Sequence, residues 1–293
     1  MTRTNHPVQA AFWMLGAVVS FTLMAIAGRA LAQHLDTFEI MMYRSLIGIL
    51  IVLLGAWYAG SLSSIRRNKM GLHLVRNVSH FTGQNLWFYA VALIPLSQLF
   101  AFEFTTPLWV AALAPLVLGE RWTATRLLAS TIGFAGILIV ARPDTSEINS
   151  ATIAAALCAV GFAGAALTTK KLSDTESVTC ILFWLVIMQA FFGIICAGYD
   201  GDIELLNKLT WHWVTLVGFT GLAAHFCITK ALAIAPATVV TPLEFLRLPL
   251  ITLVGFLLYD EPLLWPVFVG AAVILAANIM NIHAETRNRS VAK

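Results

Sequence analysis

The sequence predicts an all-α membrane protein, in which ten transmembrane helices form two inverted five-helix repeats. Two observations predict this fold class: apolar stretches of roughly 20 residues fill almost the whole chain, and the second half repeats motifs of the first. Charged residues make up only 11% of the 293 residues, against about 25% in an average soluble domain. Little sequence remains for a separate soluble domain, so function must lie in the helical bundle.

Each apolar stretch is long enough to cross a hydrocarbon core of about 30 Å as a helix. Polar or helix-breaking residues such as Asp36, Pro95 and Asp260 separate the stretches. The predicted spans are residues 8–31, 38–59, 71–93, 97–118, 124–141, 151–169, 177–198, 211–233, 238–258 and 263–282. We assign residues 1–145 to the first five-helix repeat and residues 146–293 to the second.

Basic residues concentrate in the connections on one side of the predicted bundle. Eleven Lys and Arg lie on the amino-terminal side, whereas the opposite connections contain only three, Arg29, Arg142 and Lys208, together with a cluster of acidic residues. Because cytoplasmic loops carry an excess of Lys and Arg, we predict an inner (plasma) membrane protein with both termini cytoplasmic. The net charge of +3 follows from this bias and does not indicate nucleic-acid binding. Ala30-Leu31-Ala32 imitates a signal-peptide cleavage site, but the apolar stretch before it is longer than a signal core, so we interpret it as uncleaved.

The two halves share motifs in one register. A shift of 141 positions aligns Ala90 with Ala231, Pro95 with Pro236, Glu103 with Glu244, Phe104 with Phe245 and Glu120 with Glu261. Five crossings per half force the second copy into the membrane upside down. Inverted repeats are typical of alternating-access carriers, whose site lies near the midplane between the halves. We therefore interpret the chain as a secondary transporter, although a duplicated bundle that transports nothing has the same pattern.

Ionisable residues inside the predicted spans mark candidate sites, because a charge at the bilayer centre costs at least about 2.5 kcal/mol on insertion scales. Arg44 and Glu103 lie at a similar predicted depth of roughly 10 Å, and we hypothesise that they form an ion pair. Glu244 and Arg247 are three residues apart on one helical face and could satisfy each other. These charges act either on substrate or proton, or as structural clamps or gates between helices.

Polar and aromatic residues at helical spacing predict a cavity for a small amphipathic ligand. The candidate substrate-binding residues are His80, Gln84, Trp87, Phe102, Trp109, His225 and Glu244. His80 and His225 are the candidates for a coupling proton, with ordinary hydrogen bonding as the alternative role. Three prolines interrupt backbone hydrogen bonding in predicted helices four and nine, as static kinks or as hinges: Pro107, Pro242 and Pro249.

Metal, cofactor and enzyme signatures are missing from the sequence. The four cysteines fall inside predicted spans with no CxxC pair, which indicates packing rather than a metal site or disulfides. The chain contains no HExxH, GxSxG or GxxxxGK[ST] motif, which disfavours an intramembrane enzyme and a nucleotide-driven pump. We predict no cofactor; an enzyme or a membrane scaffold is the alternative from another class.

Several of these motifs also resemble a known family. The segment from Tyr89 to Gln98, Leu118-Gly-Glu-Arg121 and Gly133-Phe-Ala-Gly136, repeated as Ala231 to Pro236 and Asp260-Glu-Pro262, resembles the EamA half-domain of the drug/metabolite transporter superfamily. The resemblance implies a ten-helix carrier that moves small organic metabolites across the membrane, often out of the cell. Members are similar to exporters of amino acids, including aromatic ones, and to carriers of riboflavin, S-adenosylmethionine or sugars. We therefore expect export of an amino acid or similar compound, with uptake of a vitamin or nucleoside-like metabolite as the alternative.

Overall fold

The fold was analysed in a computed structural model that describes residues 7–118, 124–141, 149–234, 243–244 and 246–291. Apart from a short 3-10 turn at Leu62–Ser64, the elements described in these residues are α-helices. They are α1 (Pro7–Leu31), α2 (Thr37–Tyr58), α3 (Met70–Leu93), α4 (Leu96–Glu103), α5 (Thr106–Leu118), α6 (Ala124–Ala141), α7 (Ser150–Ser173), α8 (Val178–Ala197), α9 (Trp211–Ile234), α10 (Arg247–Tyr259) and α11 (Trp265–Val291).

The helices form ten crossings, because α4 and α5 together make the fourth crossing and α10 belongs to the ninth. Within the described ranges, six segments are long and apolar enough to span a membrane by length and composition, while α6, α10 and α11 contain shorter apolar stretches. The third crossing, α3, is more polar because it carries buried His73, Arg76, Asn77 and His80. Large apolar side chains such as Leu54 point outward, as expected for helices surrounded by lipid.

The packing of the crossings follows a two-fold pattern. Crossing one (α1) packs along crossing eight (α9), and crossing three (α3) packs along crossing six (α7). Each crossing of one repeat corresponds to the crossing five positions away in the other repeat, and exchanging crossings one and eight for their counterparts, six and three, turns the first of these pairs into the second. Three further pairs pack together: crossings two and seven, four and nine, and five and ten. Each of these pairs consists of two repeat-related crossings, so the same exchange leaves the pair unchanged. This arrangement is the one that two inverted five-helix repeats require, so the predicted fold class is confirmed.

The contact between α6 and α11 shows the same two-fold relation at single residues. A Cβ on Gly136 would meet Gly270 O and Ile274, and a Cβ on Gly270 would meet Gly136 O and Val140. Each glycine therefore admits the backbone of the opposite helix, as small residues do at helix contacts in membranes. The two repeats are held close together at this crossing.

The fourth crossing is discontinuous, and the position of the break differs from the sequence prediction. We expected one helix over residues 97–118 with a kink at Pro107, but α4 ends at Glu103 and α5 begins at Thr106. The hydroxyl of Thr105 donates to Phe102 O and that of Thr106 to Glu103 O, each at 2.7 Å. Pro107 then occupies the first turn of α5, where a missing N–H removes no helical hydrogen bond. The break therefore precedes the proline.

The two other predicted helix kinks, at Pro249 and Pro242, are not observed in the described residues. Pro249 lies in the first turn of α10, so it does not interrupt that helix. Pro242 lies outside the described residues, as do Glu120 and Pro236 of the repeat motifs. The last helix, α11, continues to Val291 rather than ending at the predicted residue 282, because the polar residues after 282 include no helix breaker.

Candidate functional site

A buried ion pair joins the two repeats near the centre of the bundle. Arg247, the first residue of α10, donates from Nη2 to Glu103 Oε1 at 2.8 Å, and the indole Nε1 of Trp87 donates to Glu103 Oε2 at 2.8 Å. The side chains of Arg247 and Glu103 are only 6% and 16% exposed. Glu103 is the last residue of α4, so the break in crossing four places its carboxylate between the repeats.

Aromatic rings surround the guanidinium of this pair. The Cζ atom of Arg247 lies 4.6 Å from the ring centroid of Phe21, 4.9 Å from that of Phe100 and 5.2 Å from that of Phe104. Cation–π contacts of this kind stabilise a desolvated guanidinium. Glu244 and Arg247 line a small adjoining cavity together with Phe21 and apolar residues of α1 and α9. We refer to this region, Trp87, Glu103, Arg247 and the three phenylalanines, as the paired site.

The hypothesised pair between Arg44 and Glu103 is wrong, because Glu103 is occupied by Arg247 and Trp87. The prediction used only the depth of each residue along its own helix, and this depth does not say which side of the bundle a residue faces. Among the described residues, the hydrogen-bond partner of the Arg44 guanidinium is Met41 Sδ at 3.5 Å. Arg44 is therefore a half-buried cation without a carboxylate partner in the described part of the chain.

A second small cavity contains Arg44 and lies between the repeats. Helices α2 and α3 of the first repeat and α8 and α9 of the second form its walls. It has room for about one water molecule in this conformation. Its polar residues are Arg44, Ser45, His80, Gln189 and His225, and none of the described residues that line it is acidic. We refer to it as the Arg44 cavity.

The structure brings most of the predicted site residues to these two places. His80 and His225 line the Arg44 cavity, and Trp87 and Glu103 belong to the paired site, with Glu244 in its adjoining cavity. The ring of Phe21 connects the two places, since it packs edge-on to His225 with centroids 5.9 Å apart and also contacts Arg247.

Three predicted residues lie elsewhere. Phe102 is 1% exposed in the hydrophobic core. Trp109 of α5 packs edge-on against Phe134 of α6 with centroids 4.7 Å apart, which is a helix contact. Gln84 is buried on α3, and its Nε2 has no hydrogen-bond partner among the described residues. Their roles in binding remain predictions.

Sequence reasoning missed a third cluster, at the predicted outer end of the bundle. Arg29 at the end of α1 forms an ion pair with Glu261, and also donates to Val91 O at 2.6 Å and to Ile94 O. Glu261 Oε2 accepts from the backbone N–H of Leu96 at 2.8 Å. The cluster ties α1 and the α3–α4 turn to the segment after α10. Two signals could have revealed it: a charge at the end of an apolar span, and the repeated Glu120/Glu261 position.

The described residues contain no group of three or more His, Cys, Asp or Glu placed to hold a metal ion. All four cysteines are free, and Cys158 and Cys180 are buried. The polar chemistry of the two regions between the repeats is therefore hydrogen bonding, cation–π contact and charge.

Comparison with known proteins assigns the family. A sequence model of the EamA-like transporter family matches residues 8–142 and 149–282. The chain belongs to this family. It is therefore a multi-pass membrane transporter of the drug/metabolite transporter superfamily and not an enzyme, and the resemblance described above is confirmed.

Individual relatives cover nearly the whole chain. A riboflavin transporter of Vibrio cholerae serotype O1 is 30% identical over 293 residues, which is 98% of this chain and 97% of that protein. A riboflavin transporter of Rhizobium johnstonii is 28% identical over 97% of this chain and 94% of its own length. An S-adenosylmethionine uptake transporter of Rickettsia bellii is 24% identical over 95% and 94%. A solved crystal structure with a TM-score of 0.65 and 16% identity, covering 95% of this chain and 98% of its own, shares the fold.

Proposed function

We propose that this EamA-like transporter takes up riboflavin, or a closely related planar heteroaromatic metabolite, across a bacterial inner membrane by alternating access. The observation that carries the proposal is the similarity to a riboflavin transporter over 98% of the chain. The predicted export of an amino acid has no counterpart in the names of these relatives, whereas the predicted alternative does: two are named as riboflavin transporters and one as an S-adenosylmethionine uptake transporter.

The geometry between the repeats supports a planar ligand. The paired site offers aromatic faces, and the Arg44 cavity offers hydrogen-bonding groups, so the region combines the two features that small-molecule sites usually have. Both places lie where α2, α3 and α4 of one repeat meet α8, α9 and α10 of the other. A carrier with inverted repeats binds its substrate in such a position.

The charge of the Arg44 cavity favours riboflavin over S-adenosylmethionine. Riboflavin is neutral, whereas S-adenosylmethionine carries a sulfonium in addition to its ammonium and carboxylate. Arg44 lines a cavity with no acidic residue in the described part of its lining, and like charges at close range in a low-dielectric interior repel strongly. A cationic ligand would therefore bind this cavity poorly.

Proton coupling and orientation are further parts of the proposal. His80 and His225 are the residues on which a coupling proton would depend, since both line the Arg44 cavity. We propose cytoplasmic termini, which places the Arg29–Glu261 cluster at the outer face. If an imposed pH gradient drives uptake equally well in the wild type and in the double variant His80→Gln/His225→Gln, coupling through these residues is wrong.

Counterflow in proteoliposomes tests the proposed substrate. Vesicles preloaded with unlabelled riboflavin, S-adenosylmethionine or tryptophan are diluted into a trace of the same labelled compound. We expect transient accumulation with riboflavin and none above empty vesicles with the other two. Accumulation of S-adenosylmethionine or tryptophan in place of riboflavin would overturn the proposed substrate while leaving the carrier fold intact.

A further inference from the structure

The Arg44 cavity contains three polar groups whose hydrogen-bonding capacity is incompletely used. Its lining combines Arg44 of α2, His80 of α3 and Gln189 of α8. Buried polar groups in native proteins are nearly always hydrogen-bonded, so unsatisfied groups that line one cavity need a partner from outside the protein, either water or a ligand.

Arg44 supplies donors that the described residues do not use. Its hydrogen bond is to a thioether sulfur at 3.5 Å, which is a weak acceptor. The guanidinium lies against the backbone of α9 at Gly221, where an added Cβ would be 3.1 Å from Nη2 and 3.2 Å from Nε. The absence of a side chain at residue 221 therefore leaves space for the guanidinium beside the cavity.

Gln189 supplies an acceptor. Its Nε2 donates to Asn77 O at 2.9 Å, which fixes the orientation of the amide; Oε1 is buried, lies near the side chain of His80 and has no partner at ordinary hydrogen-bond distance among the described residues. The residue is only 2% exposed. His80, 7% exposed, has an Nδ1 atom that is likewise buried and unpartnered, and this atom donates in one of the two neutral tautomers.

We propose that the Arg44 cavity binds the imide edge of the transported molecule, the carbonyl, N–H, carbonyl sequence of a flavin pyrimidine ring. Arg44 and the Nδ1–H tautomer of His80 donate to the two carbonyl oxygens, and Gln189 Oε1 accepts from the imide N–H. This inference rests on the proposed riboflavin uptake and adds to it the edge by which the ring is recognised.

The acceptor oxygen of Gln189 favours binding of an imide over binding of a simple anion. Chloride would be attracted to Arg44 but would also face Gln189 Oε1, whose lone pairs repel it. An imide uses both the donors and the acceptor. In this conformation the cavity has room for about one water molecule, so binding of the imide edge requires the cavity to widen between α2, α3, α8 and α9, and the remainder of the ligand would extend away from it.

Competition with a methylated flavin tests the proposal. Uptake of labelled riboflavin is measured against unlabelled riboflavin and N3-methylriboflavin, which lacks the imide N–H. In the wild type we expect the methylated compound to compete roughly tenfold less well, because it leaves Gln189 Oε1 unpaired. In Gln189→Met, which has no amide oxygen, the two compounds should compete within about twofold of each other.

A matched control is Asn85→Leu. Asn85 is also a buried amide on a membrane-spanning helix, with Nδ2 donating to Phe81 O and Oδ1 unpartnered, but it does not line the cavity. This variant should keep the wild-type preference for riboflavin. A preference that persists in Gln189→Met, or that disappears equally in Asn85→Leu, would contradict the assignment to Gln189.

The wild-type comparison needs no variant, so a misfolded variant does not remove the test. Equal competition by both flavins, with uptake intact, overturns the imide edge and leaves the proposed function standing. Absence of riboflavin uptake overturns both. Thermal stabilisation by sodium chloride relative to sodium gluconate that disappears in Arg44→Gln would assign the cavity to a free anion and would also overturn the proposal.

Discussion

The paired site and the Arg44 cavity both place an arginine between the repeats, but they treat its charge differently. Arg247 has a carboxylate at 2.8 Å and three aromatic rings around it. Arg44 has a thioether at 3.5 Å and a cavity. Removing one partner of a buried ion pair is strongly destabilising, whereas an arginine that lacks a carboxylate partner has no such pair to lose and leaves its charge available to a ligand. We therefore propose that Arg247 holds the repeats together and that Arg44 recognises the ligand.

The largest expected effect comes from breaking the pair. Glu103→Ala leaves the guanidinium of Arg247 buried without a carboxylate and removes the acceptor of Trp87 Nε1. Removing one partner of a buried pair costs about 3–5 kcal/mol, so we expect a decrease in Tm of roughly 10 °C in detergent and loss of transport. A variant of wild-type stability would show that the pair does not hold the repeats together.

Removing the unpaired charge should have the opposite effect on stability. Arg44→Gln deletes a cation that has no carboxylate to leave behind, so the Tm should stay within about 2 °C of the wild type or rise. Riboflavin uptake should fall by roughly tenfold or more. Arg76→Gln is the control, because this buried arginine already donates to Thr169 Oγ1 at 2.8 Å and to Asn77 Oδ1 at 3.0 Å. It should lower stability more than Arg44→Gln does.

A smaller effect is expected at the predicted outer end. Glu261→Gln keeps an oxygen for the Leu96 N–H but removes the charge that pairs with Arg29. The two pairs are similarly buried, but here the substitution keeps an oxygen as acceptor, and Arg29 keeps its two carbonyl acceptors. We expect a decrease in Tm of about 3 °C, clearly less than for Glu103→Ala. An equal or larger decrease in Tm would show that the Arg29–Glu261 cluster contributes at least as much to stability as the paired site does.

The smallest predicted effect concerns the space beside Arg44. Gly221→Ala would displace the guanidinium, and we expect riboflavin affinity to fall about threefold with little change in stability. Gly218→Ala, one turn earlier on α9, would instead meet Ile47 Cγ2 at 2.9 Å. Because Gly218 also lines the Arg44 cavity, the two variants are distinguished by stability: overpacking against an apolar side chain should lower the Tm, whereas Gly221→Ala should leave it nearly unchanged. An equal decrease in Tm in both variants would show that overpacking of α9, and not the position of Arg44, is the cause.

The fold could be predicted because its signals are spread along the whole chain. The length of the apolar stretches predicted the number of crossings, and the repeated alanine, proline and glutamate positions predicted two halves of opposite orientation. The break in the fourth crossing lies just before Pro107 rather than at it, because the proline has no N–H for Glu103 O and the hydroxyls of Thr105 and Thr106 bond the carbonyls of Phe102 and Glu103 instead.

The partners of buried charges were harder to predict, because sequence gives depth and not direction around the bundle. Arg44 and Glu103 have similar depths but belong to crossings that face different neighbours. The repeat did contain the missing information: crossings four and nine are related by the two-fold, so residues on them are suited to meet at the axis, as Glu103 and Arg247 do.

The exchange of crossings one and eight with crossings six and three has an energetic consequence. In the alternating access proposed above, opening toward one face would separate contacts that closely resemble those that close the other face. Two conformations built from such interchangeable contacts would differ little in free energy, so neither would be strongly favoured in the absence of ligand. A substitution that changes their difference by only about 1.4 kcal/mol would then shift their ratio tenfold and change the transport rate, while the gradients still set the direction of net flux.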